Sequence, residues 1–335
     1  MITTLACDAH GRPVYALEGS NLRQLTKHND KLLGELQLAT TEDFQSKSKD
    51  GAEVHGLIVK PAGYKAGTKY PTLLIVHGGP NSQDQHSFSF DREFLAANGY
   101  VVLAIDYRGF GGSEGARGRQ RPLEQAQDSH DAITYLTTVA CVDPDRIGIY
   151  GTSFGGANGV WVTAFDKRVK VLVTSVMVAD GERWMKVMRR PSEFAQFQAR
   201  LDAAAQRRVT TGEVESINVL EMMPADPHTL AVIKAHHQKD GNYVSDYDTQ
   251  SAEACLRYRP EWVAPMIAPR PVLVIYAEHD ELCTDEALHC YAALKEPKKL
   301  VVLPKAQHYE SYYFVSPELH EIGMGEAVAW FRQHL

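Results

Sequence analysis

Ile147-Gly148-Ile149-Tyr150-Gly151-Thr152-Ser153-Phe154-Gly155-Gly156 is the stretch that decides how this chain is read. Residues suited to a buried strand run into a serine flanked by glycines, and a helix-like stretch, Phe154 to Phe165, follows at once. A serine is thrust out of so sharp a strand-to-helix turn only where its neighbours tolerate crowding and unusual dihedrals, which Gly151 and Gly155 supply. The helix opening at Phe154 would aim N–H groups and the positive end of its dipole at an oxyanion forming beside Ser153. A glycine-rich turn without chemistry fits the same residues; the strand before, the helix after and the partners downstream argue against it.

A serine hydroxyl is a poor nucleophile at neutral pH. It needs a base, and the base needs a carboxylate to fix its tautomer and orientation. Asp280 follows the apolar run Val272 to Tyr276, in Tyr276-Ala277-Glu278-His279-Asp280, and His308 follows the last such run, in Pro304-Lys305-Ala306-Gln307-His308-Tyr309. Asp180 and Glu278 are rival acids, but the chain order favours Asp280. Of fourteen histidines, His308 alone sits just beyond the final strand. His77-Gly78-Gly79-Pro80 ends the run Thr72 to Val76, where a glycine turn can aim a backbone N–H at a reacting carbonyl. The Gly79 and Phe154 amides are therefore the expected oxyanion donors, each contributing on the order of 3 kcal/mol of transition-state stabilisation.

These motifs sit in a regular alternation. From about residue 70, short β-branched runs (72–76, 100–105, 146–150, 169–176, 271–276, 299–303) alternate with amphipathic stretches (91–98, 123–139, 154–165, 284–294, 317–335). Nearly continuous apolar strands separated by helices predict a mostly parallel central sheet covered by helices on both faces. Upstream, 42–48 and 53–60 flank Asp50-Gly51, a hairpin signal that adds antiparallel strands. The fold class is thus α/β, an α/β-hydrolase fold, with the catalytic domain over 41–179 and 263–335. Residues 180–262 interrupt the alternation and are rich in helix formers, so they are expected to form a helical cap roofing the carboxyl edge of the sheet. Residues 1–40 show no period and are read as an extension packed on the core.

Other features carry less. The loop Asp106-Tyr107-Arg108-Gly109-Phe110-Gly111-Gly112-Ser113 has no phosphate-loop spacing, so Arg108 is read as a loop organiser. His236-His237 has no third ligand at metal spacing and is read as solvated helix face. Trp184, Met185 and Met188, with Phe194 and Phe197, form a stripe that either packs the cap or touches substrate; the first three are the candidate substrate contacts.

Composition sets the frame. The chain has 335 residues, 44% hydrophobic and 23% charged, with a net charge of -7. That balance argues against nucleic acid or an anionic membrane as partner, since both call for clustered Lys and Arg. Cys7, Cys141, Cys255, Cys283 and Cys290 include no CxxC pair, which fits a reducing, cytoplasmic setting. Residues 1–7 lack the basic start and apolar run of an export signal. No apolar run approaches the ~20 residues that span a bilayer.

Residues 40–156 resemble the catalytic domain of the prolyl oligopeptidase and acylaminoacyl peptidase family through His77-Gly78-Gly79-Pro80, Asp106-Tyr107-Arg108-Gly109 and Gly151-Thr152-Ser153-Phe154-Gly155-Gly156. Leu25-Thr26 to Leu38 also resembles the junction after the propeller of such peptidases. Beyond residue 160 the chain looks more like esterases and the hydrolases related to X-prolyl dipeptidyl peptidase and cocaine esterase. Those peptidases carry a substrate-screening β-propeller, and forty residues cannot build one of at least four blades of ~40 residues. With a cap in its place, the expected activity is serine hydrolysis of small carboxylic esters through an acyl-enzyme, with no cofactor or metal. An aminopeptidase or acyl-peptidase acting on short peptides is the alternative, and a catalytically silent ligand receptor a remote one. A homo-oligomer is left open.

Overall fold

The turn Ser48–Ala52, closed by the Gly51 N–H on the Ser48 carbonyl with Gly51 at φ 90°, joins β1 (Thr40–Lys47) to β2 (Glu53–Lys60) in an antiparallel hairpin. It opens the sheet of this computed structural model, which describes residues 27–79, 82–84, 88–239 and 242–335. The chain continues through β3 (Tyr70–Val76), β4 (Val101–Ile105), β5 (Val142–Thr152) and β6 (Val169–Ser175). Within the cap lie β7 (Ser216–Asn218) and β8 (Asp246–Asp248); the chain then returns to the sheet as β9 (Val272–Ala277) and β10 (Lys298–Leu303). The eight-stranded sheet has the order β1-β2-β4-β3-β5-β6-β9-β10, and β2 alone runs against the rest.

Alternation across the sheet explains the continuous apolar runs. On β4, Val101, Leu103 and Ile105 point into one core with Ile133 and Leu136 of helix Pro122–Leu136 and Val160 of helix Phe154–Phe165. Val102 and Ala104 point into the other, with Leu95 of helix Phe90–Ala97 and Val328 and Phe331 of helix Pro317–His334. Both faces are dry, so a polar residue has no place along the strand. β10 departs from this expectation: as the sheet's edge it leaves Val302 45% exposed. The helix expected to reach Val139 ends at Leu136, and β5 starts at Val142, with Asp143-Pro144 inside its first residues where the pairing with β3 shifts register. A proline fits a strand at such an irregularity.

Residues 180–262, the segment expected to form the cap, lie between β6 and β9. Its longest helix, Pro191–Thr211, starts with proline, which needs no N–H partner in the first turn, and stops at Gly212 in the left-handed region at φ 78°. The cap is not wholly helical: β7 and β8 pair as a three-residue ribbon. Its core, with Phe194, Phe197, Leu201 and Tyr247, runs into Phe154 and Ala157 of the helix beneath, so cap and catalytic core share one packed interface. Of the extension, residues 1–26 lie outside the described residues. Helix Asp30–Glu35 holds no fully buried side chain, and the Ala39 N–H donates to Glu93 at 3.0 Å. Among the described residues no helix is long and apolar enough to cross a membrane.

Candidate active site

The sheet order reverses between β3 and β5: β4 lies to one side of β3, and β6 to the far side of β5. Their carboxyl ends diverge there, leaving the crevice in which open α/β sheets bind ligands. His77-Gly78-Gly79 leaves β3 and Ser153 leaves β5 at that crevice. Ser153 stands at φ 53°, ψ -124°, a conformation costing a side-chain-bearing residue on the order of 1–3 kcal/mol. Its N–H donates to the Ser175 carbonyl at 2.8 Å, and the helix Phe154–Phe165 starts at the next residue. The glycines are needed for close approach: a Cβ on Gly151 would stand 2.6 Å from the Gly155 carbonyl, and one on Gly155 would strike the Val76 and His77 carbonyls.

The base and the acid arrive from the far side of the sheet. β9 and β10 pair in register from Val272/Lys298 to Ala277/Leu303, so their loops leave side by side. The Glu278 N–H on Leu303 (3.1 Å) and the His279 N–H on Ala306 (2.8 Å) stitch the loops together. His308 Nε2 then lies 3.0 Å from Ser153 Oγ, and His308 Nδ1 2.9 Å from Asp280 Oδ2. The other Asp280 oxygen accepts the Cys283 N–H at 2.7 Å. Ser153, Asp280 and His308 are 9%, 5% and 2% exposed, so little water competes for these bonds. The rival acids are occupied elsewhere. Asp180 caps helix Gly181–Val187 by accepting the Glu182 and Arg183 N–H groups and pairs with Arg259, while Glu278 accepts the Lys305 N–H.

The turn after β3 presses on the serine: a Cβ on Gly78 would stand 2.9 Å from Ser153 Cβ. Gly79 and Phe154 border the same cleft as Ser153, and Phe154, first in its helix, has an N–H that the helix itself cannot satisfy. Pro80 lies outside the described residues. His77 is a buried structural residue, its ring 4.5 Å from that of Tyr107. Arg108 does organise its loop: Nε and Nη2 fork onto Asp128 at 3.0 and 2.6 Å, and the backbone N–H of Arg108 donates to the same carboxylate.

The cleft encloses about 590 Å³ free of atoms, counting its open mouth. From the core it is walled by Leu282 and Tyr309 beside Ser153; the cap supplies Trp184, Val219, Leu220, Met223 and Ile233. Thr229, His237 and Tyr243 add polar atoms, and no Asp, Glu, Lys or Arg stands among its described lining residues. Burial pushes the Tyr309 hydroxyl well above the usual tyrosine range, so it stays protonated, a donor.

Of the three candidate substrate contacts, only Trp184 reaches the cleft, and its indole N–H donates to the Leu282 carbonyl at 2.8 Å. Met185, one position after Trp184, turns away by about 100° and is fully buried in the cap core, while Met188, at the C-cap where the helix ends, packs against that core. Phe194 and Phe197 are core residues too. His237 corrects the solvated-face reading: it lines the cleft with its ring 5.7 Å from Tyr309, while His236 is exposed with its ring tilted against Phe314 at 4.9 Å.

Sequence reasoning also missed Glu286. This fully buried carboxylate accepts the Ala179 and Asp180 N–H groups at 2.8 and 2.7 Å and pairs with Arg183 at 2.6 Å, while Arg183 pairs with Glu261 at 2.7 Å. Both ends of the cap are thereby tied to the residue that follows the Asp280 loop. Among the described residues, one group of His, Cys or acidic side chains has ligand atoms close enough to share a metal ion: Asp280, Cys283 and His308.

The sequence pattern of the X-Pro dipeptidyl-peptidase family (S15) matches residues 50–310, well over half of the chain. The chain belongs to that family. Members of this S15 family and their structural relatives are α/β hydrolases, and the chain is accordingly a serine hydrolase of that fold. It is 28% identical to an uncharacterized 31.7 kDa Escherichia coli protein from the traX-finO intergenic region, over 80% of this chain and 92% of that one. It is 25% identical to the thiohydrolase aneE of Aspergillus aculeatus, over 80% and 89%. Among solved structures, the hypothetical protein PA2218 of Pseudomonas aeruginosa superposes with a TM-score of 0.76 at 22% identity, covering 93% of this chain and 99% of that one. The acylaminoacyl peptidase of Pyrococcus horikoshii superposes with a TM-score of 0.66 at 22% identity, over 97% of this chain but 46% of its own length.

Proposed function

We propose that the chain hydrolyses carboxylic esters of small molecules through an acyl-enzyme on Ser153. His308 Nε2 takes the Ser153 proton as Oγ attacks the carbonyl carbon, and Asp280 holds the imidazole in the productive tautomer and stabilises its charged form. The Gly79 and Phe154 amides receive the developing oxyanion. Collapse expels the alcohol, which takes its proton from His308; water, activated by the same imidazole, then releases the acid.

The observation that carries the reading is the 3.0 and 2.9 Å relay beneath an uncharged, mostly apolar cleft. An aminopeptidase holds a free α-ammonium, which when buried calls for a carboxylate partner, and the described lining offers none. An apolar acyl group needs no such anchor. The likeness to a thiohydrolase extends the reading to thioesters, whose thiol leaves without strong protonation. Family membership keeps one second reading alive, cleavage of N-acylated peptides, which also lack a free ammonium. The four described cysteines are all free thiols, which supports a reducing, cytoplasmic setting.

The test compares kcat/KM for p-nitrophenyl acyl esters, an aminoacyl anilide and its N-acetyl form. The ester is expected to lead by at least ~10²-fold, the margin attributable to leaving-group protonation. A faster free-amine anilide would overturn the proposal; a faster N-acetyl anilide would make the chain an acyl-peptidase.

A further inference from the structure

Cys283 has no part in that scheme, yet it sits at its centre. It is 2% exposed, three residues after Asp280, and its N–H holds Asp280 in place. Its Sγ, an Asp280 oxygen and a His308 ring nitrogen all lie within 4.8 Å of one another. Burial alone would be met by any small apolar side chain, since Cys283 packs against the cap core. A thiol beside an imidazole and a carboxylate is chemically more specific: it is the mixed S, N, O donor set that zinc-like cations take in tetrahedral sites, whereas calcium and magnesium demand oxygen. Charge fits as well. One thiolate, one carboxylate and one neutral imidazole cancel a divalent cation, so a loaded site would bury no net charge. Ligand atoms around a tetrahedral zinc stand roughly 3.5 Å apart, so side-chain shifts of about 1 Å suffice. Leu282, the residue before Cys283, borders the cleft.

We propose that Asp280, Cys283 and His308 form an inhibitory site for a zinc-like divalent cation. The inference rests on reading these residues as the triad. On binding, a metal–sulfur bond forms and the Cys283 proton leaves to solvent. If the cation takes Nδ1, the proton there moves to Nε2; if it takes Nε2, it occupies that lone pair. Either way Ser153 loses its base, and no group is oxidised or reduced.

The experiment uses the full chain and two probes. The first is the rate of fluorophosphonate labelling of Ser153 against Zn²⁺ concentration, with each protein compared with its own metal-free rate. Zn²⁺ is expected to slow wild-type labelling at least ~10-fold, reversibly with EDTA, and Cys283→Ala and Cys283→Ser are each expected to need ~10- to 100-fold more Zn²⁺, the usual loss on removing a metal-site group. The second is the ultraviolet cadmium–thiolate charge-transfer band on adding Cd²⁺, expected in wild type and absent from Cys283→Ser. The same Zn²⁺ dependence in wild type and variants, or a band that persists in Cys283→Ser, overturns the site. A wild type that never labels but shows a Cys283-dependent band would instead sink the triad reading and leave the cation site standing.

Discussion

The sheet edge and the cap meet at one cleft but are built differently. At the edge, Ser153, Asp280 and His308 are placed by ladder register and by short backbone bonds between neighbouring loops, so their geometry follows from the sheet. Above it, most of the wall comes from short helices and the turns between them, and the cap is tied down at a few points: Arg183, paired with Glu261 and with Glu286 of the core, Arg121 forked on Asp248, and Trp184 on Leu282. The difference separates chemistry from selectivity. The proposed reacting groups sit on the rigid element, and the groups proposed to read an acyl chain sit on the element whose packing evolution can alter without disturbing the relay.

The comparison breaks first at the nucleophile. Ser153→Ala is expected to lower ester turnover at least ~10⁴-fold with the thermal melt essentially unchanged, because the turn accepts the smaller side chain. Residual activity above that level would move the chemistry off the sheet edge. Next comes the anchor of the cap. Glu286→Ala leaves the Ala179 and Asp180 N–H groups without their acceptor and removes one of the two carboxylates on Arg183, and urea unfolding is expected to show a loss of about 3 kcal/mol, as for unsatisfied buried donors. Trp184→Phe keeps a ring beside Phe154 but drops the bond to Leu282; a loss of ~1 kcal/mol, about five-fold in kcat/KM, is expected, with a smaller change for Met188→Ala. If Met188→Ala had the larger effect, the cap would present a different face to substrate.

The smallest effect lies in the core, away from the cleft. Burial pushes the Asp166 carboxyl up, but hydrogen bonds from His130 and Arg168 outweigh it and hold the group well below the usual carboxylate range. A depressed pKa means the unfolded chain binds the proton more tightly, so this stabilisation is present above about pH 4 and lost as pH falls through the folded value. Asp166→Asn is expected to lower Tm by on the order of 2 °C at pH 7, with the gap closing as pH falls from about 4 to 2. A gap that widened on acidification would contradict the assignment.

Legibility in the sequence follows the same division. Helix Phe154–Phe165 is observed with its expected ends, and β3, β4, β6 and β9 lie within two residues of theirs, because strands dry on both faces leave an unbroken apolar run. Asp280 and His308 could be read from their positions after β9 and β10, since a loop at a strand's carboxyl end points to the crevice whatever its composition. Glu286 could not: one glutamate in a short amphipathic stretch carries no sign that it will be buried, and only tertiary packing brings Arg183 to it. The same holds for His237, whose place in the wall depends on how the cap folds over Tyr309. Met185 and Met188 pack in or against the cap core and not among the described cleft residues; an apolar stripe shows which side is buried without telling a cap's own core from a cleft.

The central claim is tested most directly by treating the protein with a fluorophosphonate and mapping the adduct by peptide mass. A single adduct on Ser153 is predicted, with labelling slowed by orders of magnitude in His308→Ala. An adduct on another residue, or a His308→Ala protein labelled as fast as wild type, would contradict the account.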